Sequence, residues 1–566
     1  MPRLIVLKFG GSVLLDEDRL RIAVHEIYRW KREGWQVVAV VSALVGRTDQ
    51  LLEQARRWHD SPDPFSVAAL VAGGELESAA LLGLHLDRAG IPAHVLTPAA
   101  VGLIARGHPL DATPIDLDVL RVQTALDRSG IVVVPGYIAI GTDGRTVVLG
   151  RGGSDLSALF LANRLGAACC RLIKDVDGLY EADPVRHSPP PRRYAQATFA
   201  DALETDGSIV QHKAVRYAQD VAISFELGRT NATVPTHIGS PRTRLTTQID
   251  RPMPLRVGIL GLGVVGRGVL DLLCQLPESF TIRSIAVRDP SRHSLPPRLR
   301  RLLTTDPVHL AASELDVVIE CLGGLTPAKS CLEAALECGT AVVTANKSVV
   351  AAFGKELESI ACRTGASIRC SAAVGGAVPV LEAITAISVR SLRGVLNGTT
   401  NYVLNRISEG HTFAHAVRLA QAHGLAETDP TADLSGRDAA EKLRIIARTL
   451  GLPESMPITA QALEAHAFPS CPPDHRLRQV ATLDVERATA RIAIEALAPG
   501  DPLYDLPGAY NAVVLSTGNG TTRILRGAGA GRWPTAEAVL ADALSLARSA
   551  LPLRARELPQ ETPAHA

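Results

Sequence analysis

The sequence lacks several features that would assign it to a large class of proteins. Basic and acidic side chains nearly balance over the 566 residues, and the formal net charge is +1. A chain without an excess of positive charge has no broad electrostatic attraction to nucleic acid or to an anionic membrane surface. We therefore expect small-molecule substrates and neither of those partners.

Long hydrophobic runs and paired cysteines are absent as well. No uninterrupted apolar stretch approaches the roughly 20 residues that cross a bilayer. The chain enters a β-strand pattern at Leu4 with no leader-like segment before it, so we expect no signal peptide. The nine cysteines form no Cys-x-x-Cys pair, which indicates buried free thiols in a reducing compartment. Together these absences predict a cytoplasmic protein.

Hydrophobic residues make up 46% of the chain, which is ample for several cores at this length. Short β-branched runs alternate with helical stretches, a pattern typical of α/β proteins with mainly parallel sheets. A polar, proline-containing stretch at 239–254 is predicted to be a linker between two halves. The predicted strands include Leu4–Leu7, Val37–Val41, Ile131–Val134, Leu255–Leu260, Val317–Glu320 and Ala341–Thr344.

A glycine loop follows the first predicted strand of the second half. Gly261 permits a tight turn, Gly263 lets a pyrophosphate approach the backbone, and Gly266 lets the following helix pack closely. Val264 and Val265 complete the loop. Because it lies between a predicted strand and a predicted helix, Arg267–Leu276, it indicates a dinucleotide site.

The tip of the next predicted strand bears on which dinucleotide is bound. Arg288 suits the 2′-phosphate of NADP, whereas the adjacent Asp289 would suit the ribose hydroxyl of NAD. We therefore expect NADP(H) and leave NAD open. Gly323 and Thr326 follow a third strand at the end where cofactors lie in such sheets.

The segment from Gly424 to Lys442 concentrates acidic groups before a helical pattern. Asp438 and Lys442 are four residues apart, so they project from the same side of a helix. They fall at the edge of an apolar stripe, where residues that line a cleft would lie. The alternative is an ordinary surface ion pair.

This segment, from Ala426 to Lys442, resembles the signature of the homoserine dehydrogenase family. Similar stretches occur at 344–347, 371–379, 396–402 and 527–536, so the resemblance covers about residues 255–548. It implies a Rossmann NAD(P)-binding domain at 255–380 and an α+β catalytic domain at 381–548, whose end returns to the Rossmann domain. It also implies reduction of aspartate β-semialdehyde to homoserine with a nicotinamide cofactor.

The resemblance assigns roles to particular side chains. Lys442 would supply a proton or positive charge to the developing alkoxide, Asp438 would orient it, and Lys347 would polarise the carbonyl or contact the cofactor. Glu427 and Asp433 would bind the substrate ammonium. Further cofactor contacts are expected at Gly424 and Gly529, and a loop beside the substrate is expected at 396–402.

A sodium ion is also implied by the family. Its ligands would be the backbone carbonyls of Ser371, Val374, Gly376 and Val378. The family commonly has glutamate where Ser371 stands, a change that a backbone ligand tolerates.

The first half carries a different set of motifs, at 8–12, 40–49, 73–79, 150–158 and 173–184. A lysine and paired glycines at a strand end suit a phosphate group, and Gly73-Gly74-Glu75 is read as opening a helix with an acid. In this order the motifs resemble the aspartokinase domain of the amino acid kinase family. The resemblance implies a domain at 1–238 with a parallel-rich sheet between helices. The resemblance implies ATP-dependent phosphorylation of the aspartate β-carboxylate.

The kinase resemblance assigns a second set of residues. Lys8 and Asp155 would act in catalysis, with Mg²⁺ accompanying ATP. The aspartate would be held by Thr48, Glu75, Arg151 and Ser154, since an arginine fork binds carboxylates bidentately. The ATP side would be lined by Lys174, Asp175, Tyr180 and Lys213.

Three departures from the family pattern leave an alternative open. They are Val13 in place of serine, Val185 after Asp183-Pro184, and Gln211 before His212. The first half is then either an active kinase or a degenerate kinase fold that serves assembly of a dehydrogenase.

Relatives with both activities usually carry regulatory ACT domains between the two units. The segment 239–254 is too short to form such a domain. We also expect a homo-oligomer, a dimer or tetramer, and a C-terminal tail at 549–566 that is frayed from Leu558 onwards.

Overall fold

The computed structural model describes residues 3–17, 19–182, 187, 191–246, 253–426, 429–464, 468 and 471–554, with side chains up to residue 549. The chain divides into two compact units, one formed by 1–88 and 92–251 and the other by 89–91 and 252–566. Each unit has its own sheets and its own core.

The first unit contains thirteen strands and eight helices in its described part. The strands are β1 (Leu4–Phe9), β2 (Gln36–Val41), β3 (His94–Val95), β4 (Ile104–His108), β5 (Asp111–Asp116), β6 (Ile131–Pro135), β7 (Ile138–Gly141), β8 (Thr146–Val148), β9 (Cys169–Ile173), β10 (Arg193–Ala197), β11 (Phe225–Gly228), β12 (Thr236–Ile238) and β13 (Arg244–Thr246). The helices are α1 (Leu20–Arg32), α2 (Arg47–Trp58), α3 (Pro64–Arg88), α4 (Pro98–Val101), α5 (Val119–Ser129), α6 (Gly153–Arg164), α7 (Phe199–Glu204) and α8 (His212–Asp220).

Nine of these strands form one sheet in the order β13-β10-β12-β11-β9-β1-β2-β6-β3. β1 lies in the interior of the sheet and pairs in parallel with β2 and with β9. The carboxyl ends of parallel neighbours meet at one edge of the sheet, so residues that follow β1 and β9 are brought together there. β4, β5, β7 and β8 form a separate small sheet.

Helix α3 differs from two sequence predictions. It runs without interruption through Gly73-Gly74-Glu75, so these residues lie inside a helix and do not open one. Gly74 allows close packing, since an added Cβ would lie 3.0 Å from the Ala43 side chain. By length and composition α3 is also apolar enough to cross a membrane, contrary to expectation. Half of that apolar stretch is buried inside the unit, as in the core helix of a globular domain.

The second unit contains twelve strands and twelve α-helices in its described part. The strands are β14 (Leu255–Leu260), β15 (Phe280–Ala286), β16 (Leu303–Thr304), β17 (Val317–Glu320), β18 (Ala341–Thr344), β19 (Ile368–Arg369), β20 (Val389–Val395), β21 (Ile458–Ala460), β22 (Arg476–Asp484), β23 (Thr489–Leu497), β24 (Tyr510–Thr517) and β25 (Thr522–Ala528). The helices are α9 (Val264–Leu273), α10 (Pro297–Arg300), α11 (Pro307–Ala311), α12 (Ala328–Glu337), α13 (Lys347–Thr364), α14 (Ser371–Gly375), α15 (Val380–Ala386), α16 (Gly398–Ser408), α17 (Phe413–Ala422), α18 (Thr431–Leu434), α19 (Arg437–Thr449) and α20 (Arg532–Arg554), with a 3₁₀ turn at Pro290–Arg292.

Two six-stranded sheets organise this unit. The first, in the order β16-β15-β14-β17-β18-β19, is parallel throughout. The second, β21-β23-β22-β20-β24-β25, is antiparallel except for the β21–β23 pair. Helix α20 packs back on α9 of the parallel sheet, where Arg532 pairs with Asp271 at 2.7 Å. The observed architecture is α/β in both units, with an α+β part built around the second sheet.

Two local predictions were wrong, one about the linker and one about the cysteines. Arg244–Thr246, predicted to be linker, form β13 and pair antiparallel with β10, because the alternating Arg-Leu-Thr can extend a sheet edge. Helix α20 extends to Arg554, into the segment predicted to be the C-terminal tail. All nine cysteines are free, but Cys338, Cys362 and Cys471 are exposed and not buried.

Candidate functional site

The glycine loop after β14 has the backbone that its sequence predicts. Gly261 has a φ of +93°, a left-handed conformation that suits glycine, and an added Cβ there would press on the Cys321 carbonyl. A Cβ at Gly266 would collide with the Gly261 carbonyl oxygen. Beside Gly263 there is open space. Helix α9 begins directly after it, at Val264, three residues earlier than predicted, and no side chain caps it. Its free backbone amides can therefore receive an anion.

Glu320, at the end of β17, supports the neighbouring loop, and sequence reasoning gave it no role. Its carboxylate is fully buried and accepts hydrogen bonds from Leu322 N at 2.7 Å and from the Thr344 hydroxyl at 2.5 Å. The Asn346 amide adds a bond to the Gly324 carbonyl at 2.7 Å. These contacts fix the loop around Gly323, whose φ is +74°. An acidic residue ending a buried strand was the available signal.

A cavity of about 410 Å³ joins the glycine loop to the charged helix α19. Eight residues predicted to bind cofactor or substrate, or to act in catalysis, line this cavity. They are Gly263, Val264, Val265, Gly323, Lys347, Asp438, Lys442 and Gly529. The cavity therefore unites segments that are widely separated in the sequence.

Asp438 lies between two lysines in the wall of this cavity. Lys442 Nζ is 2.8 Å from one carboxylate oxygen, and Lys347 Nζ is 2.9 Å from the other. Lys442 also donates a hydrogen bond to the Leu396 carbonyl at 2.6 Å. Asp438 and Lys442 are buried, whereas the Lys347 side chain is 38% exposed. Hence this is not the surface ion pair that the sequence left open.

The electrostatics of the cluster follow from burial and charge. Burial alone would raise the pKa of Asp438, but Lys442 and Lys347 hold that pKa far below its usual range. Burial likewise opposes charge on Lys347, yet Asp438 raises the Lys347 pKa above its ordinary value. Asp438 therefore stays ionised and keeps Lys347 protonated.

Asn397 completes the cluster, and its contacts were not predicted. Its amide nitrogen donates to Asp438 at 2.7 Å and to Asp433 at 2.8 Å, and its amide oxygen caps α16 through Thr400 N. The loop expected at 396–402 is mostly the first turn of this helix. An asparagine before Gly-Thr-Thr is a helix-start signal that could have revealed this.

Other predicted residues lie away from the cavity or outside the described residues. Gly424 follows α17 with a φ of +68° and donates its amide hydrogen to the Gln421 carbonyl. It is not among the residues that line the cavity. Thr326 is not in the lining either, and Arg288 lies exposed after β15. Glu427 lies outside the described residues.

The four residues predicted to hold sodium lie on one short stretch, α14 and the turn after it. Gly376 has a φ of +52° there, and the Val378 carbonyl accepts a hydrogen bond from Val380 N at 2.8 Å. The Ser371 hydroxyl donates to Glu382 at 2.6 Å. Neutral carbonyl oxygens suit a hard cation. No group of three or more His, Cys, Asp or Glu in the described part of the chain is arranged to hold a metal.

In the first unit, Asp155 lies between two lysines in the same manner. Lys8, near the end of β1, is 2.7 Å from one of its oxygens, and Lys174, which follows β9, is 2.8 Å from the other. Burial would raise the pKa of Asp155, but the lysines hold it at about 2. Burial lowers the pKa of Lys8 to about 8 despite the attraction of Asp155. Gly10 gives Lys8 room, since an added Cβ would lie 3.2 Å from its Nζ.

Helix α6 contributes an uncapped amino terminus near this cluster. It begins at Gly153, after Gly152 with a φ of +77°, and no side chain caps it. Asp155 and the buried Ser154 lie in its first turn. The free backbone amides at this helix start suit an anion.

Glu75 is a buried acid in the core of this unit. It accepts a hydrogen bond from Ala43 N at 3.4 Å, and its second oxygen has no hydrogen-bond partner. Burial raises the pKa of Glu75 to about 7. Such a carboxylate is available to a cationic group of a substrate.

The remaining predicted kinase residues have separate surroundings. Lys213 donates to Asp111 at 2.5 Å and to the Leu149 carbonyl at 2.8 Å. The Tyr180 hydroxyl donates to Asp177 at 2.7 Å. Arg151 and Asp175 are exposed, and Thr48 lies half-buried at the start of α2. Among the departures, Val13 is buried and Gln211 precedes α8, whereas Val185 lies outside the described residues.

Comparison with known families agrees with this division. The model described as "Homoserine dehydrogenase, NAD binding domain" matches residues 261–371, and the model described as "Homoserine dehydrogenase" matches 379–544. A homoserine dehydrogenase from Synechocystis is 33% identical over 325 residues, covering 52% of this chain and 73% of that protein. The chain belongs to the homoserine dehydrogenase family. Strands β15 to β19 of the parallel sheet lie within the part that matches the NAD-binding domain.

The first unit matches a second family. The model described as "Amino acid kinase family" matches residues 3–223. An aspartokinase from Mycobacterium bovis is 34% identical over 261 residues, covering 45% of this chain and 57% of that protein. The chain thus spans little more than half the length of this aspartokinase.

A crystal structure of a homoserine dehydrogenase from Thiobacillus denitrificans aligns with a TM-score of 0.48 at 31% identity, covering 54% of this chain and 76% of that chain.

Proposed function

We propose that the chain is a bifunctional enzyme. Its second unit interconverts L-aspartate 4-semialdehyde and L-homoserine with NADP(H), and its first unit phosphorylates L-aspartate to 4-phospho-L-aspartate with ATP. The observation that carries the proposal is the position of Asp438, which pairs with Lys347 and Lys442 in the cavity that also contains the glycine loop.

The dehydrogenase step uses the cluster as follows. A bound nicotinamide cofactor supplies hydride to the carbonyl carbon of the semialdehyde. Lys442, held by Asp438 and by the Leu396 carbonyl, presents an ammonium group to the oxygen that becomes negative. The more exposed Lys347 polarises the same carbonyl or contacts the cofactor. Asp433, with Glu427, binds the substrate ammonium.

Arg288 and Asp289 support NADP as the cofactor. Asp289 accepts hydrogen bonds from Ser291 N at 3.0 Å and from the Ser291 hydroxyl at 2.6 Å. It also pairs with Arg292 at 3.3 Å. Since Asp289 is engaged within its own turn, the exposed Arg288 is the residue available for a 2′-phosphate. Gly261 and Gly266 shape the loop for the pyrophosphate, and Thr326 and Gly424 stay proposed contacts.

A monovalent cation is proposed at the turn after α14. The carbonyls of Ser371, Val374, Gly376 and Val378 would hold sodium there, where it would stabilise the wall of the dehydrogenase cavity next to Ala372 and Ala373. Sodium is a structural ion in this proposal and takes no part in the chemistry.

In the kinase unit, the proposed reaction uses the charges around Asp155. Lys8 and Lys174 would neutralise the negative charge of the phosphoryl group during its transfer, and Asp155 would keep both ammonium groups in place. Glu75, Thr48, Arg151 and Ser154 would hold aspartate. Asp175, Tyr180 and Lys213 would line the ATP side, and Mg²⁺ would enter with the phosphates.

A degenerate kinase fold that serves assembly is the second candidate. The observation in its favour is that Lys213 and Tyr180 already have protein partners, Asp111 and Asp177, without a nucleotide. We also propose a homo-oligomer, a dimer or tetramer, in the cytoplasm. Exposed apolar side chains on α3, such as Leu76 and Leu84, would suit a subunit contact.

Both reactions are tested on the purified full chain. NADP reduction with homoserine and aspartate-dependent ADP formation are measured for the parent, Lys442→Ala and Lys8→Ala. We expect Lys442→Ala to lose only the first activity and Lys8→Ala only the second. A parent protein without aspartate-dependent ADP formation favours the degenerate kinase fold, and loss of both activities in Lys442→Ala contradicts the separation of the sites.

A further inference from the structure

The Leu396 carbonyl, directly after β20, accepts hydrogen bonds from two side chains. Lys442 Nζ donates to it at 2.6 Å, and Asn511 Nδ2 donates to it at 2.9 Å. Asn511 is on β24, which pairs with β20 in the antiparallel sheet. All three residues are buried, and Asn511 is only 1% exposed. Asn511 is therefore connected to the lysine of the dehydrogenase cavity through one shared backbone oxygen, and none of the roles proposed above uses it.

The shared oxygen limits how the Lys442 ammonium group can be oriented. An ammonium group has three N–H donors. One of them donates to Asp438 at 2.8 Å and a second to the Leu396 carbonyl at 2.6 Å. Because the three N–H bonds are arranged tetrahedrally, two fixed acceptors leave a single direction for the third. Lys442 lines the cavity, so the position of the Leu396 carbonyl determines how its remaining donor meets a substrate.

The two ends of the Asn511 amide have different surroundings. A carbonyl only accepts hydrogen bonds, so the amide nitrogen is the end that faces Leu396. Asn511 Oδ1 is buried and accepts no hydrogen bond from the residues that the structure describes. An unsatisfied buried acceptor destabilises the folded state, and an apolar side chain of similar shape would avoid that loss. What the asparagine supplies at this position is therefore the donor to Leu396.

Gly529, in the wall of the cavity, packs against the same amide. An added Cβ at Gly529 would collide with Asn511 Nδ2 and Cγ. Gly529 is not among the glycines with a positive φ, so its backbone conformation is open to other residues. The neighbouring amide, and not backbone strain, therefore requires glycine at 529. Asn511 lies directly behind the cavity wall, in contact with both Gly529 and Leu396.

We propose that Asn511 is a positioning residue of the dehydrogenase site, which holds the Leu396 carbonyl so that Lys442 is directed at the substrate oxygen. Gly529 is glycine because a side chain there would displace the Asn511 amide. The effect on the rate rests on the proposed function, whereas the packing of Asn511 against Gly529 does not.

Asn511→Leu tests the role in the full chain. Leucine nearly keeps the shape of the side chain but cannot donate to Leu396. We expect kcat for homoserine oxidation to fall roughly ten- to a hundredfold, since a displacement of about 1 Å can cost about a hundredfold in rate. KM for NADP and KM for homoserine should change little, because their proposed contacts are made by other residues. A parental kcat in this variant overturns the proposal.

Two further measurements separate positioning from a structural role. Fluorescence titration with NADPH counts the binding sites per chain, and thermal unfolding gives the midpoint. Both should stay near the parental values in Asn511→Leu, since this change removes an unsatisfied acceptor together with the donor. A fall in kcat that is matched by an equal loss of NADPH sites overturns the proposal in favour of a structural role. If Asn511→Leu does not fold, Asn511→Ala, which adds no volume, is held to the same outcomes.

Asn405→Leu is the matched control. Asn405 is also a buried asparagine, and its amide donates to the carbonyls of Leu506 at 3.1 Å and Gly508 at 3.4 Å. Removing these bonds should lower the unfolding midpoint and leave kcat per NADPH site unchanged. A control that loses as much kcat per NADPH site as Asn511→Leu overturns the specific link to Lys442.

A double-mutant cycle tests the packing of Asn511 against Gly529. Gly529→Ala should lower both the midpoint and kcat in the parent, because its Cβ displaces the Asn511 amide. In the Asn511→Ala background the same change should lower them much less, since the collision is gone. Equal losses in the two backgrounds overturn this part of the proposal. If the parent oxidises no homoserine, the proposed function fails and the effect of Asn511 on the rate fails with it, whereas the midpoints of the cycle still decide the packing relation.

Discussion

The Asp438 carboxylate lies 2.8 Å from Lys442 Nζ, one turn further along α19, and both side chains are buried. A buried carboxylate is stable only with compensating charge or hydrogen bonds. Here the second oxygen pairs with Lys347, so two cations that line the same cavity share one anion. Removing its charge should therefore disturb both lysines at once.

Asp438→Asn should lower kcat for homoserine oxidation by roughly a hundredfold or more, in the range reported for general acid–base groups. The Lys347 pKa should fall towards its ordinary value or below, since burial then acts without its main counterion. Any limb of the pH–rate profile that reports Lys347 should move to lower pH. Steady-state rates across pH provide the measurement.

The control for this prediction is Asp505→Asn, which removes an exposed carboxylate from the same unit. It should leave both the rate and its pH profile unchanged. An Asp438→Asn enzyme with parental kcat would contradict the role given to the pair.

Asn397 is predicted to be a positioning residue. In Asn397→Asp the side chain can still cap α16, because aspartate is as good an N-cap as asparagine. It would, however, face Asp433 and Asp438 with a third carboxylate in place of an amide donor. We expect kcat for homoserine to fall roughly tenfold or more, the equivalent of one lost hydrogen bond to a charged group.

Thermal unfolding separates this effect from a structural one. Asn397→Ser also retains a cap but adds no charge, so it should keep more activity than Asn397→Asp at a similar midpoint. Equal activity in the two variants would refute the electrostatic explanation.

The sequence was sufficient for contacts within one element or one loop. The i,i+4 spacing placed Asp438 beside Lys442, and the strand–glycine–helix order predicted the turn at Gly261. Both follow from local geometry alone. The six quoted strand predictions also lie within or coincide with observed strands, because β-branched runs mark buried parallel strands.

Contacts between distant segments could not be predicted in the same way. The pairing of Lys8 and Lys174 with Asp155 depends on β1 and β9 being neighbours in the sheet, which no local pattern specifies. Glu320 and Asn397 were missed because a single polar residue at an element end has many uses. Helix α3 was misread since paired glycines usually interrupt a helix, whereas here close packing on Ala43 favours glycine at position 74.

Arg288 is predicted to determine cofactor preference. Arg288→Ala should raise KM for NADP roughly ten- to a hundredfold, as expected for losing a hydrogen-bonded charge contact. KM for NAD should hardly change, because NAD lacks the 2′-phosphate. Both constants are measured by homoserine oxidation at saturating homoserine.

Arg283→Ala is the matched control, since Arg283 is another exposed arginine, on β15 itself. It should alter neither constant. If Arg288→Ala raised both constants equally, Arg288 would contact a part common to the two cofactors and would not select between them.

Glu75 gives the first unit a pH-dependent stability whose sign follows from its raised pKa. Burial raises the Glu75 pKa from 4.5 to about 7, so between these values the folded state binds a proton that the unfolded state releases. The free energy of unfolding contributed by this group is therefore greatest below about pH 4.5 and is lost as pH rises through about 7. At about 1.4 kcal/mol per pKa unit, the loss is at most ~3 kcal/mol. Glu75→Gln, which cannot ionise, should gain stability relative to the parent between about pH 5 and pH 8.

Calorimetric midpoints of the two proteins across that range measure the difference. The control is Glu77→Gln, because Glu77 is an exposed acid two residues further along α3. A difference between parent and Glu75→Gln that stayed constant with pH would show that Glu75 remains ionised in the folded protein, held by a cation such as Lys8.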